Sequence, residues 1–210
     1  MSSDFYQIRL CPACGLRYPI VEDHPFGTRC PVCLGETQLI LKHKLPIHQG
    51  KRLKTASGKG IRIALLDNVR SAWNVGSIFR TADGLGLEKL YLCGITPTPE
   101  SEAVRKTSLR AEISITWEYT PNALETVNKL KSEGHIIIAL EQDSRATPIS
   151  QLQISGSQIP ILIIGNEVTG VDPNLLDICD RIVYIPLRGS GRSFNVGIAF
   201  AIAVSQMING

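Results

Sequence analysis

Six short apolar runs succeed one another beyond residue 60, at 61–66, 90–93, 113–117, 136–140, 159–164 and 182–185. Runs of this length, set apart by segments of helical period, read as buried β-strands alternating with helices. Helices are expected at 75–83, 123–133 and 195–208. The expected class is therefore α/β, a parallel sheet with helices on both faces. The last helix is apolar on nearly every side, so it must pack on the core or in a subunit interface.

A chain of 210 residues can hold one sizeable core and a small appendage. No apolar run approaches the roughly 20 residues a bilayer crossing needs, so no membrane span is expected. The first ten residues include Asp4, Gln7 and Arg9 and no apolar stretch, which does not read as a secretory signal. With six cysteines and no export signal, a cytoplasmic location and reduced thiols are expected.

Four of those cysteines form two pairs, Cys11 with Cys14 and Cys30 with Cys33, fifteen residues apart. This spacing matches a structural zinc ribbon, in which four thiolates close a tetrahedron and leave no open position for chemistry. Some thirty residues bury too little to fold unaided, so the ion must supply stability. Cys93 and Cys179 have no neighbours at metal spacing and read as buried structural thiols. The expected organisation is a zinc ribbon at 1–41, a basic linker at 42–60 and a larger α/β domain at 61–210. Charge is uneven: residues 1–60 carry nine Lys/Arg against four Asp/Glu. A polyanion would be drawn to that end first.

Three stretches carry chemistry. In the first, Asn74 and Arg80 follow the first apolar run, with Asn74 placed to cap a helix near Val75 and Arg80 to grip an anion. In the second, a buried strand runs into a turn containing Gly165, Asn166, Glu167 and Gly170. The third, from Ile185 and Leu187 through Ser193 and Asn195, is another strand entering a loop of Gly, Ser and Arg before a helix. Each alone is compatible with an ordinary amphipathic helix or a solvated turn. Neither GxxxxGK[ST] nor GxGxxG occurs, which argues against a P-loop NTPase and a dinucleotide site.

Taken in order, Asn74 to Arg80 with Thr81, Ala82 and Asp83, then Gly165, Asn166, Glu167 and Gly170, then Ile185 and Pro186 with Ser193, Phe194, Asn195 and Val196 resemble the three motifs of the SpoU/TrmH RNA 2′-O-ribose methyltransferases. The resemblance spans about residues 61–210. The segment from Lys106 to Glu112 also resembles that family, which usually has Gly where this chain has Arg110. The resemblance implies a SPOUT-type domain with a deep C-terminal trefoil knot, S-adenosylmethionine bound by the knot loops, and an active site completed across a homodimer. It implies that Leu140, Gly165, Asn166, Glu167, Gly170, Ile185, Leu187, Ser193 and Asn195 hold the cofactor. Arg80 would meet the ribose and phosphate, while Asn74, Glu167, Ser193 and Asn195 order the site. The expected partner is tRNA or rRNA, with no DNA. Two rivals differ in class: a non-catalytic RNA-binding protein that keeps the fold, and a small-molecule α/β enzyme carrying a zinc ribbon.

Overall fold

Three strands form near the N-terminus, β1 (Phe5–Leu10), β2 (Arg17–Val21) and β3 (Gln38–Lys44), all antiparallel in the order β2-β1-β3. Along β2 the exposed Arg17, Pro19 and Val21 alternate with half-buried Tyr18 and Ile20, the period of a strand with one face covered. The computed structural model describes residues 4–44, 61–154, 159–191 and 193–209. It divides into two compact units, Met1–Leu53 and Lys54–Gly210. Most of the basic linker, residues 45–60, lies outside the described residues, as does Arg192.

The second unit is built on a seven-stranded sheet. Its strands are β4 (Ile63–Asp67), β5 (Lys89–Cys93), β6 (Thr116–Thr120), β7 (Ile136–Leu140), β8 (Thr147–Pro148), β9 (Pro160–Ile164) and β10 (Arg181–Tyr184). Their order is β6-β5-β4-β9-β7-β10-β8, and every pairing is parallel. β9 is buried at all its residues, as a central strand covered on both faces must be.

Two hydrophobic layers flank the sheet. On one side α1 (Ala72–Leu85), α2 (Glu102–Ser108) and α6 (Val196–Asn209) contribute Ile78, Phe79, Val104, Phe200 and Val204. On the other, α4 (Ala123–Ser132) and α5 (Pro173–Ile178) contribute Val127, Leu130 and Leu175. Full burial of a side chain such as Phe79 or Phe200 stabilises the fold by about 2 kcal/mol. Helices α1 and α2 meet closely at Gly76, where a Cβ would lie 1.9 Å from Thr107 Oγ1.

Several expectations need correction. α1 begins at Ala72 and its N-cap is Ser71, whose Oγ accepts the Asn74 amide at 3.3 Å. Asn74 therefore sits inside the first turn and does not cap it. The apolar run at 113–117 is not one strand: a short helix, α3 (Ala111–Ser114), occupies its first half, and β6 starts at Thr116. Ile113 points outward at 70% exposure, so apolarity there does not mark burial. Arg110 has φ of 75°, a left-handed conformation that Gly, the residue the resemblance implies here, adopts without cost. Cys93 is fully buried and Cys179 partly so, and burial pushes both thiols up to about 12, far from thiolate chemistry at neutral pH.

Candidate functional site

The carboxyl ends of parallel strands are where an open α/β sheet gathers its loops. Here β4, β9 and β10 each run into one of the three polar motifs. The loop after β9 closes through paired backbone bonds between Asn166 and Gly170, both 3.0 Å. Asn166 Oδ1 accepts the amides of Val168 (2.9 Å) and Thr169 (3.2 Å), fixing the turn from within. Gly165 is needed for space: a Cβ there would lie 2.2 Å from Gly170 C and from Val171 N. Gly170 has φ of 74°, and a Cβ on it would lie 2.3 Å from Glu141 Oε2. The two glycines thus make room for the protein's own atoms.

Glu167 reaches from this turn to the start of α1. Its carboxylate accepts the Arg70 amide (2.9 Å), the Ser71 amide (3.0 Å) and the Asn74 side-chain amide (2.8 Å). Burial pushes the Glu167 pKa up, but these donors outweigh it and hold the group below the usual carboxyl range. A carboxylate engaged three times and kept ionised is an anchor and a poor proton acceptor. Asn74 Oδ1 in turn accepts Asn195 Nδ2 at 3.1 Å, and Asn195 Oδ1 accepts the Gly197 amide (2.9 Å) at the start of α6. Glu167, Asn74 and Asn195, one from each motif, therefore form a single hydrogen-bonded chain.

A cavity of about 470 Å³ opens beside this chain. Leu140, Ile164, Ile185, Val196 and Ala199 form apolar parts of its wall, and Gly165, Asn166, Glu167, Gly170, Ser193 and Asn195 also line it. Its volume lies within the range of small-molecule sites. The described wall contains Glu141 and Glu167 and no Lys, Arg or His. Leu187 lies in an adjoining cavity of about 540 Å³ that shares Gln142, Tyr184 and Ile185.

Arg80 is not part of this wall. It is exposed on α1, six residues beyond Asn74, hence about 9 Å further along the helix and on a different side of it. Sequence reasoning missed Glu141, whose Oε2 accepts the Val171 amide at 2.9 Å and so ties the loop after β7 to the loop after β9. It also missed Asp67 and Asn68. The available signal was an Asp ending an otherwise apolar strand, since a carboxylate is seldom buried without a task.

In the first unit the Sγ atoms of Cys11, Cys14, Cys30 and Cys33 all lie within 4.8 Å of one another. Cys11 and Cys33 sulfurs are 3.4 Å apart, those of Cys14 and Cys30 3.6 Å. Four thiolates at zinc–sulfur distances near 2.3 Å would stand about 3.8 Å from each other, so this donor set fits a tetrahedral ion. The Val32 amide donates to Cys30 Sγ at 3.4 Å, as knuckle amides do toward charged sulfur. Arg9, one of three arginines near the cluster in sequence, braces the unit through Thr37 Oγ1 (2.8 Å) and the Thr37 carbonyl (2.9 Å).

Residues 62–205 match the model of the SpoU rRNA Methylase family. A 23S rRNA (guanosine(2553)-2′-O)-methyltransferase of Bacillus subtilis is 32% identical over 152 residues, covering 70% of this chain and 57% of that protein. A tRNA (guanosine(18)-2′-O)-methyltransferase of Aquifex aeolicus is 28% identical over 175 residues, covering 80% and 77% respectively. Among solved structures, an AdoMet-bound rRNA methyltransferase from Sinorhizobium meliloti superposes with a TM-score of 0.67 at 24% identity, covering 72% of this chain and 57% of that one. The chain thus spans little more than half of some of the relatives it matches.

Proposed function

Because this chain belongs to the SpoU rRNA Methylase family, we propose that it is an S-adenosylmethionine-dependent methyltransferase acting on a ribose 2′-hydroxyl of tRNA or rRNA. The observation that carries this reading is the hydrogen-bonded chain of Glu167, Asn74 and Asn195 beside the cavity. A wall with two carboxylates and no cationic side chain among its described residues suits a ligand of net positive charge and disfavours a polyphosphate. Leu140, Gly165, Asn166, Glu167, Gly170, Ile185, Ser193 and Asn195 would hold the cofactor, with Leu187 at its margin. When bound, S-adenosylmethionine supplies a methyl group activated by the adjacent sulfonium.

The protein must then align a 2′-oxygen and ease loss of its proton. Glu167 and Asn74 fix the start of α1 against the cofactor turn. Arg80 presents a planar, cationic guanidinium, which clamps phosphate and stabilises the developing alkoxide. The proton passes to RNA phosphate or water. Since Arg80 stands away from its own chain's cavity, the active site is read as shared by two subunits of a homodimer. The order of β7, β10 and β8 supports a knotted C-terminal segment: β10 comes later in the chain yet lies between β7 and β8, so it must pass the connection at 141–146. The working location is the cytoplasm. Among the described residues no helix is long and apolar enough to cross a membrane.

Since β3 runs to Lys44, residues 1–44 rather than 1–41 are assigned as a zinc ribbon, 45–60 as a basic linker and 61–210 as the methyltransferase domain. The ribbon and linker dock RNA, chiefly through charge. Elemental analysis of purified protein should give one zinc per chain. A Cys11→Ser, Cys30→Ser double variant should lose it, because two thiolates seldom retain the ion. Stoichiometric zinc in that variant would disprove the ligand assignment. For the activity itself, calorimetry should detect S-adenosylmethionine binding, and ribose-methylation mapping of total RNA from cells lacking the protein should show one lost modification. An unchanged methylation map would rule out the proposed reaction, and binding of RNA without cofactor would favour the non-catalytic reading.

A further inference from the structure

We propose that Asp67 and Asn68 are positioning residues that pin both ends of the turn at 166–172 and thereby keep the cofactor cavity in its binding shape. The proposal rests on the reading of that cavity as the cofactor site. Asp67 ends β4 and is only 2% exposed. Its Oδ2 accepts the Asp172 amide at 2.9 Å, where the turn gives way to α5, and its Oδ1 accepts Asn68 Nδ2 at 2.8 Å. Asn68 holds the other end: its carbonyl accepts Asn166 Nδ2 at 2.7 Å. Two consecutive residues therefore grip a turn about a hundred positions away at its first and last residues.

What aims the Asn68 carbonyl is the backbone. Asn68 has φ of 56°, the left-handed region that Asn tolerates better than most side chains and Gly tolerates best. In this conformation its amide donates to the Cys93 carbonyl (3.2 Å) while its own carbonyl faces Asn166. The side chain secures the arrangement, since Asn68 Oδ1 accepts the Ile95 amide at 3.1 Å. Gly94 leaves the space for it: a Cβ there would lie 2.1 Å from that oxygen. Burial pushes the Asp67 pKa upward despite its two donors, so the carboxylate is kept at an energetic cost that a filler residue would not carry. Asn166 in turn orients the amides of Val168 and Thr169, and Asn166 itself faces the cavity.

The geometry separates two substitutions that look alike. Asn68→Ala removes the side chain and disfavours the left-handed backbone, so the carbonyl swings away from Asn166. Asn68→Gly removes the same side chain but keeps the backbone. In the full chain, the affinity for S-adenosylmethionine measured by calorimetry should fall about tenfold in Asn68→Ala and stay within about threefold of wild type in Asn68→Gly. Asp67→Asn, which puts an amide donor against one of two donors, should also weaken binding about tenfold. Amide hydrogen exchange without cofactor gives the second measurement: Val168 and Thr169 should exchange faster in Asn68→Ala than in Asn68→Gly, and Asp172 faster in Asp67→Asn. A role confined to overall stability would lower melting temperatures and leave affinity unchanged in folded variants. Equal affinity and equal exchange in Asn68→Ala and Asn68→Gly would overturn the proposal. Should the wild type bind no cofactor while the exchange pattern appears as expected, the cofactor reading fails and the pinning of the turn stands.

Discussion

Gly165→Ala is expected to weaken S-adenosylmethionine binding on the order of a hundredfold or more, with the rest of the fold intact. The reason is space and not backbone freedom. The added Cβ would stand 2.2 Å from Gly170 C, 2.2 Å from Val171 N and 2.4 Å from Gly170 O. All three are backbone atoms, so no side-chain rotation relieves the clash. Either the paired bonds between Asn166 and Gly170 break, or the end of β9 moves. Both outcomes displace Asn166 and Glu167 from the cavity wall, and the second also pulls Glu167 from the Arg70 and Ser71 amides. Gly189→Ala is the contrasting variant, because a Cβ there meets nothing within 4 Å. Calorimetric titration of both variants, with circular dichroism to confirm folding, gives the comparison. A folded Gly165→Ala protein that binds as tightly as wild type would mean the turn does not shape the site.

The sequence made the strands legible where both faces are buried, since β7, β9 and β4 as far as Leu66 are continuous apolar runs with little else they can form. It failed at 113–117 because Ile113 and Ile115 lie on opposite sides of a helix-to-strand boundary, one exposed and one buried. Helices α2 and α5 are too short for periodicity to declare them. Strand order was beyond reach: that β9 would lie between β4 and β7 follows from packing over long separations. The same limit applies to the site. Residue types and motif order pointed to Asn74, Glu167 and Asn195, but the bond joining Asn74 to Glu167 spans 93 positions and the one joining Asn195 to Asn74 spans 121. Ser71, three positions before Asn74, is as good a capping residue as Asn74, so residue type alone does not choose between them. That the four cysteines would cluster was legible for the opposite reason, since the spacing within each pair is local.

Arg80→Ala should lower methyl transfer about a thousandfold while leaving cofactor affinity within about twofold, as expected for a lost group that stabilises developing negative charge. The separation follows from position, because Arg80 lies outside the wall of its own chain's cavity. Arg80→Lys should recover little, since an ammonium keeps the charge but lacks the planar fork that holds two oxygens together. If the site is shared between subunits, mixing offers a sharper test than either variant alone. In a mixed dimer of Arg80→Ala and Gly165→Ala chains, the intact cofactor loops of the first meet the intact Arg80 of the second, giving one working site. The other site lacks both. Random exchange makes half of the dimers mixed, so at a cofactor concentration that fills wild-type but not Gly165→Ala sites, activity should return to about a quarter of wild type although each parent is inactive. Were Arg80 to serve the cavity of its own chain, every site in the mixture would lack one component and mixing would restore nothing. A loss of cofactor affinity in Arg80→Ala that matched its loss of rate would place Arg80 on the cofactor and overturn this division of roles.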